Sequence, residues 1–236
     1  MIEACKTGAV WDKTARSRGQ TVRRVCEALD SVYEPSRLGN PSDPLDDLVF
    51  LILSNKTSPR IAQRTYRALK RRYSMWDEVL AASPSTLESL LEPAGLSKVK
   101  ARQFRAALLK IREDFGSCDL RALEERAEGE AEAYLVTLPG VSHKVAKCVM
   151  MWTLGADVLP VDSHVHRVAT RLGWTFRKRA DQCHEELEAL VPPQRRAAFH
   201  VDCILHGRAV CRPTSPECDD CCIRRYCRYS EEECER

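Results

Sequence analysis

Three groups of residues have types and spacings that could do chemistry. The densest is Cys211, Cys218, Cys221 and Cys227, a C-x6-C-x2-C-x5-C run set among polar and turn residues. Four thiolates delivered by one short loop can hold a tetrahedral zinc or a four-iron cubane, and spacing alone leaves both open. Cys222 could replace Cys221 only by changing two spacings. The second group is Leu138-Pro139-Gly140-Val141-Ser142-His143-Lys144-Val145-Ala146, followed by an apolar run to Trp152. A Pro-Gly turn that opens a helix presents backbone N–H groups where a phosphate can bind, which is the pattern of a helix-hairpin-helix. Gly95-Leu96-Ser97-Lys98-Val99-Lys100-Ala101 is a weaker relative of the same pattern. The third group is Val161-Asp162-Ser163-His164-Val165-His166-Arg167-Val168, with Asp162 placed as a helix N-cap would be.

The elements that must position these groups read as helices. Apolar residues recur at three and four, and nothing longer than a few residues alternates with period two, so the expected class is all-α. Val22, Val25, Cys26, Leu29 and Val32 form one buried stripe, and Ala101, Phe104, Leu108 and Ile111 another. Asp43-Pro44, Ser58-Pro59 and Ser83-Pro84 are helix starts, while Gly116, Gly155 and Gly173 are helix stops. The result is about ten to twelve short helices with short connections. The acidic stretch Glu124, Glu125, Glu128, Glu130 and Glu132, and the tail Glu231, Glu232, Glu233 and Glu235, read as solvated faces.

The chain has 236 residues, 44% hydrophobic and 30% charged, enough for one or two ordinary domains and incompatible with a disordered or fibrous protein. Thirty-seven basic residues against thirty-four acidic ones leave +3, so a polyanionic partner must be argued from where the charge sits. Two segments carry that argument. Asn55 to Trp76 holds Lys56, Arg60, Arg64, Arg67, Lys70, Arg71 and Arg72 without an acid, and Lys98 to Arg112 holds six more, with Lys98, Arg102 and Arg105 on one helical face. Such faces suit a phosphate backbone. Met1 to Gln20 lacks the apolar core of a signal peptide, and the longest apolar run, Leu48 to Leu53, is far short of a membrane span. A soluble, cytoplasmic protein is expected, nucleoid-associated if prokaryotic, and with no membrane partner. Thiols stay reduced there, so the cysteine loop points to metal and not to disulfides. Cys5, Cys26, Cys118, Cys148, Cys183, Cys203 and Cys234 show no ligand pattern and read as buried or incidental.

Taken together, the three motifs resemble in order and spacing those of the endonuclease III family, within the helix-hairpin-helix DNA glycosylases; the resemblance runs roughly from Pro44 to Arg228. It implies a four-iron, four-sulfur cluster on Cys211, Cys218, Cys221 and Cys227, Lys144 as nucleophile and Asp162 as its carboxylate partner. It implies a helix-hairpin-helix fold with a six-helix barrel near residues 44–156 and a cluster domain from residues 1–43 and 157–236, the active site lying in the cleft between them. The substrate would be double-stranded DNA containing damaged bases or abasic sites, bound by a monomer. Gly140, Ser142 and His143 would meet the phosphate, Leu96 would act as the wedge that replaces an extruded nucleotide, Lys56 would face the orphan base, and His164 would add a contact.

The chain also departs from the family pattern. Lys56 stands for the usual glutamine, Ser142 for a second glycine and His143 for an arginine or similar residue, changes that suggest a paralogue with narrowed range or reduced activity. Lys144 and Leu51 replace the serine and glutamate of the adenine-excising branch, and the sequence leaves no room after the cysteine loop for that branch's extra C-terminal domain. The expected function is a bifunctional glycosylase and AP lyase acting on oxidised pyrimidines. The alternatives are a monofunctional glycosylase, which would not cut the strand, and a DNA-binding module whose cysteine loop holds zinc.

Overall fold

The computed structural model describes residues 15–34 and 38–229. Cys5, Cys234 and the tail glutamates lie outside them. Among the described residues there are eleven α-helices and five short 3-10 turns, and no strand. They divide into two compact units, residues 38–160 and residues 15–34 with 161–229.

The first unit, called here the hairpin unit, is built around α2 (Pro44–Ser54). Its sequence is apolar on almost every side, and Leu45, Leu48, Val49, Phe50, Leu51, Ile52 and Leu53 are all buried, as a helix without a polar face must be. Asp43 starts it by accepting N–H bonds from Leu45 and Asp46, both at 3.0 Å. Around it lie α3 (Pro59–Arg72), α4 (Asp77–Ala81), α5 (Pro84–Leu91), α6 (Ser97–Phe115), α7 (Glu128–Leu135) and α8 (His143–Thr153). The α6 stripe of Ala101, Phe104, Leu108 and Ile111 is buried, and Phe104 meets Trp76 edge-on at 5.5 Å. Ser83 caps α5 through its hydroxyl; Ser58 precedes α3 as expected but its side chain makes no capping bond.

The second unit, called here the cysteine unit, packs α11 (Arg196–Ala209) against α9 (Ser163–Arg171) and α1 (Ala15–Asp30), with α10 (His184–Leu190) alongside. Trp174 stacks on Phe199 at 5.6 Å. Val22, Val25, Cys26 and Leu29 are buried, but Val32 falls past the end of α1 and is 56% exposed, so the stripe stops one turn earlier than its spacing suggests. No helix of the described residues is long and apolar enough to cross a membrane.

Candidate active site and cluster site

The hairpin turn brings Gly140, Ser142, His143 and Lys144 together at the start of α8. Gly140 has φ +84°, a conformation that demands glycine, and a Cβ there would approach Cβ and Cδ of Gln103 to 3.0 Å, so that side chain would also have to give way. Ser142 is the N-cap of α8, and its hydroxyl accepts the Val145 N–H at 3.4 Å. The serine that departs from the family pattern therefore has a helix-capping role. Lys144 follows as the second residue of the helix and is half-buried.

Behind this turn, Glu132 of α7 reaches two residues of α8. One carboxylate oxygen lies 3.0 Å from His143 Nδ1 and the other 3.2 Å from Lys147 Nζ, and Lys147 is buried. Burial opposes the charge on Glu132, but the His143 hydrogen bond and the Lys147 ammonium outweigh it and hold the carboxyl below its ordinary pKa. Of the acidic stretch read as a solvated face, Glu124, Glu125, Glu128 and Glu130 are exposed, and Glu132 alone departs from the reading by pairing inside the fold.

Lys56 and Leu96 stand on two exposed turns of the same unit, one between α2 and α3, the other leading into α6. Both are in the left-handed region, at φ 53° and 51°, which costs a non-glycine residue about 1–2 kcal/mol. Leu96 is 58% exposed and so is no core leucine. The basic segments are only partly surface. Arg60, Arg64, Arg67, Arg71 and Arg72 are exposed along α3, but Lys70 pairs with Asp46 at 3.1 Å. On α6, Lys98 and Arg102 are exposed, Arg105 bonds the carbonyls of Val79 and Ala82, and Lys100 is 4% exposed.

In the cysteine unit Asp162 caps α9, accepting from the N–H groups of His164 at 2.8 Å and Val165 at 2.9 Å. Its free carboxylate oxygen is thereby oriented by the first turn of a helix. His164 is half-buried, with Nδ1 3.1 Å from Arg167 Nη2, and burial lowers its pKa. Arg167 and Arg171, which sequence reading left without a role, hold the cysteine loop. Arg167 donates to the carbonyls of Gly207 and Cys211, and Arg171 to those of Arg212 and Pro213 and to Cys211 Sγ at 3.1 Å. Their spacing, one helical turn apart and facing a loop of thiols, was the signal available.

Cys211, Cys218, Cys221 and Cys227 line one recess, with Arg171 and Tyr229; Cys222 is not on its wall. His206 Nε2 lies 3.5 Å from Cys221 Sγ, while its Nδ1 lies 2.9 Å from the Tyr33 hydroxyl. Among the described residues no three His, Cys, Asp or Glu converge closely enough to hold a single metal ion. The donor set is four soft thiols around a volume, approached by cationic and N–H donors that suit anionic sulfur. Burial pushes the Cys221 thiol up to about 12, so loading a metal group there displaces a proton.

Residues 49–193 match the family model described as the HhH-GPD superfamily of base excision DNA repair proteins. An endonuclease III of Synechocystis is 30% identical over 78% of this chain and 80% of its own length. This chain belongs to the endonuclease III family. The endonuclease III of Thermotoga maritima is 28% identical over 80% of this chain and 84% of its own. A solved non-covalent endonuclease III–DNA complex superposes with a TM-score of 0.79 at 23% identity, covering 92% of this chain and 99% of that one, which shows the shared fold. The chain is thus a base-excision repair enzyme of the endonuclease III class, a DNA glycosylase and AP lyase with the all-α helix-hairpin-helix fold. The matched span contains the hairpin and Asp162 but ends before the cysteine loop.

Proposed function

We propose that this endonuclease III removes oxidised pyrimidines from double-stranded DNA and then cuts the strand, with Lys144 as nucleophile and Asp162 as its carboxylate partner. The neutral Lys144 amine attacks C1′ of the damaged nucleotide, the C1′–N bond breaks, and the base leaves with its electron pair and takes up a proton. The sugar ring opens to a Schiff base with Lys144. That imine acidifies the C2′ hydrogen, whose loss expels the 3′ phosphate by β-elimination, and water then releases the enzyme. Asp162 accepts the proton that the amine sheds or stabilises positive charge growing on the sugar. The observation that carries the reading is the place of Lys144 in the first turn of α8, directly after the Gly140 turn.

The same reading has the α8 start hold a DNA phosphate, with Gly140 allowing close approach and His143 adding a donor. Ser142 uses an oxygen lone pair for its cap, so its O–H proton can serve the phosphate. Leu96 fills the gap left by the extruded nucleotide, Lys56 meets the orphan base, and His164 adds a contact from α9. Cys211, Cys218, Cys221 and Cys227 would hold a four-iron, four-sulfur cluster, which supplies a cross-link that fixes the loop; thiols spread around a recess suit such a group better than one ion. The enzyme works as a monomer in the compartment that holds the DNA.

Sodium borohydride reduction during reaction with DNA containing thymine glycol or an abasic site is expected to cross-link the protein to the DNA. Lys144→Gln should abolish the cross-link. Trapping that persists in this variant overturns the nucleophile assignment, and base release without strand cleavage by the natural sequence would favour a monofunctional glycosylase.

A further inference from the structure

Lys56 and Leu96 lie on separate connections, yet each adopts the same strained left-handed conformation on an exposed turn. Such conformations persist when the surrounding structure over-determines them. At Leu96 part of the cause is local. Gly95, with φ +68°, precedes it, and the Leu96 carbonyl accepts the Lys100 N–H at 2.9 Å. The Lys100 side chain reaches the same turn, because it points inward instead of joining the basic face of α6.

Lys100 Nζ donates to the Leu53 carbonyl at 2.8 Å, to Thr57 Oγ1 at 2.6 Å and to the Ala94 carbonyl at 2.8 Å. An ammonium has three donors, and each finds an acceptor here, while burial lowers the pKa of the group. The Leu53 carbonyl is one of the terminal carbonyls of α2, where the helix dipole also favours a cation. Thr57 Oγ1 in turn lies 2.6 Å from the Ala94 carbonyl. Thr57 directly follows Lys56, and Ala94 comes two residues before Leu96. One buried ammonium and one hydroxyl therefore join the two turns just beside the residues they display.

We propose that Lys100 is a positioning residue that, through Thr57 and the Ala94 carbonyl, ties the Lys56 turn and the Leu96 turn to one buried point so that both side chains enter the duplex in fixed register. The inference rests on the reading of Leu96 as wedge and Lys56 as orphan-base contact. It assigns Lys100 no contact with DNA.

The test separates this role from a structural one. Single-turnover cleavage at an abasic site is measured in a duplex, where a gap must be filled, and in the same strand alone, where there is none. Lys100→Met keeps the length of the stem and removes the donors; its duplex-to-single-strand rate ratio is expected to fall about 10- to 100-fold, the scale set by a misplacement of about 1 Å. If that variant does not fold, as read from its thermal unfolding, Thr57→Val carries the same test. Leu96→Ala and Lys56→Ala serve as references. A fall in the ratio for Leu96→Ala with none for the Lys100 variant overturns the clamp and leaves the wedge standing. An unchanged ratio in both reference variants overturns the wedge reading, and the clamp with it.

Discussion

At the residue scale Asp162 has two roles that a single substitution can separate. Its carboxylate caps α9 through two N–H bonds, and asparagine caps a helix about as well as aspartate. Asp162→Asn should therefore leave the unfolding midpoint nearly unchanged while lowering single-turnover base release about 100- to 10,000-fold, the usual contribution of general acid–base groups. Asp162→Ala should lose both, with about 1 kcal/mol of stability gone. If the asparagine variant keeps full activity, the carboxylate is only a cap. Gly140 has a sharper constraint. Gly140→Ala must hold an L side chain at φ +84° against Gln103, so denaturant unfolding should show a loss of about 1–2 kcal/mol and DNA affinity should fall with it.

At the scale of elements, the hairpin start is held from behind by α7. Removing Glu132 leaves the buried Lys147 ammonium without this partner, and Glu132→Ala should cost about 2–4 kcal/mol, near the range for breaking a buried pair. The pH dependence follows from the sign of the shift. The folded pKa of Glu132 is depressed, so its contribution is present above the ordinary glutamate value and is lost as pH falls through the lower folded value. The stability difference between the natural sequence and Glu132→Gln should thus shrink as pH drops below about 4.5, the unperturbed glutamate region; a constant difference would show that the ion pair contributes nothing. The cysteine loop is the other element with a decisive comparison. Cys221→Ser should lower iron and sulfide content of the purified protein and Cys222→Ser should not, because only Cys221 reaches the recess.

At the scale of the whole molecule the net charge of +3 hides an exposed arginine row on α3. If Arg64 and Arg67 meet phosphates, replacing each by alanine should reduce the slope of log affinity against log salt by about 0.9. An unchanged slope would make the row mere solvation. How much of this was legible beforehand depended on the range of the forces. Asp43, Ser83 and Asp162 were readable as caps and Gly140 as a hairpin glycine, because capping and a positive φ are settled within four residues of chain. The spacing of Cys211, Cys218, Cys221 and Cys227 was readable for the same reason. Glu132, Lys100 and Arg105 were misread as surface charge, since composition assigns long charged side chains to water and only contacts between distant segments can repay their burial. The partners that keep them inside, Lys147 on α8, Leu53 in the last turn of α2 and Thr57 just after it, and the end of α4, are remote in sequence and adjacent only after packing. By itself, then, the sequence determined the helices, their caps and the residue types capable of the chemistry, all local properties; the tertiary structure decided which charges became internal ties and which of two adjacent cysteines faces the recess, because those outcomes are set by the neighbours that folding supplies.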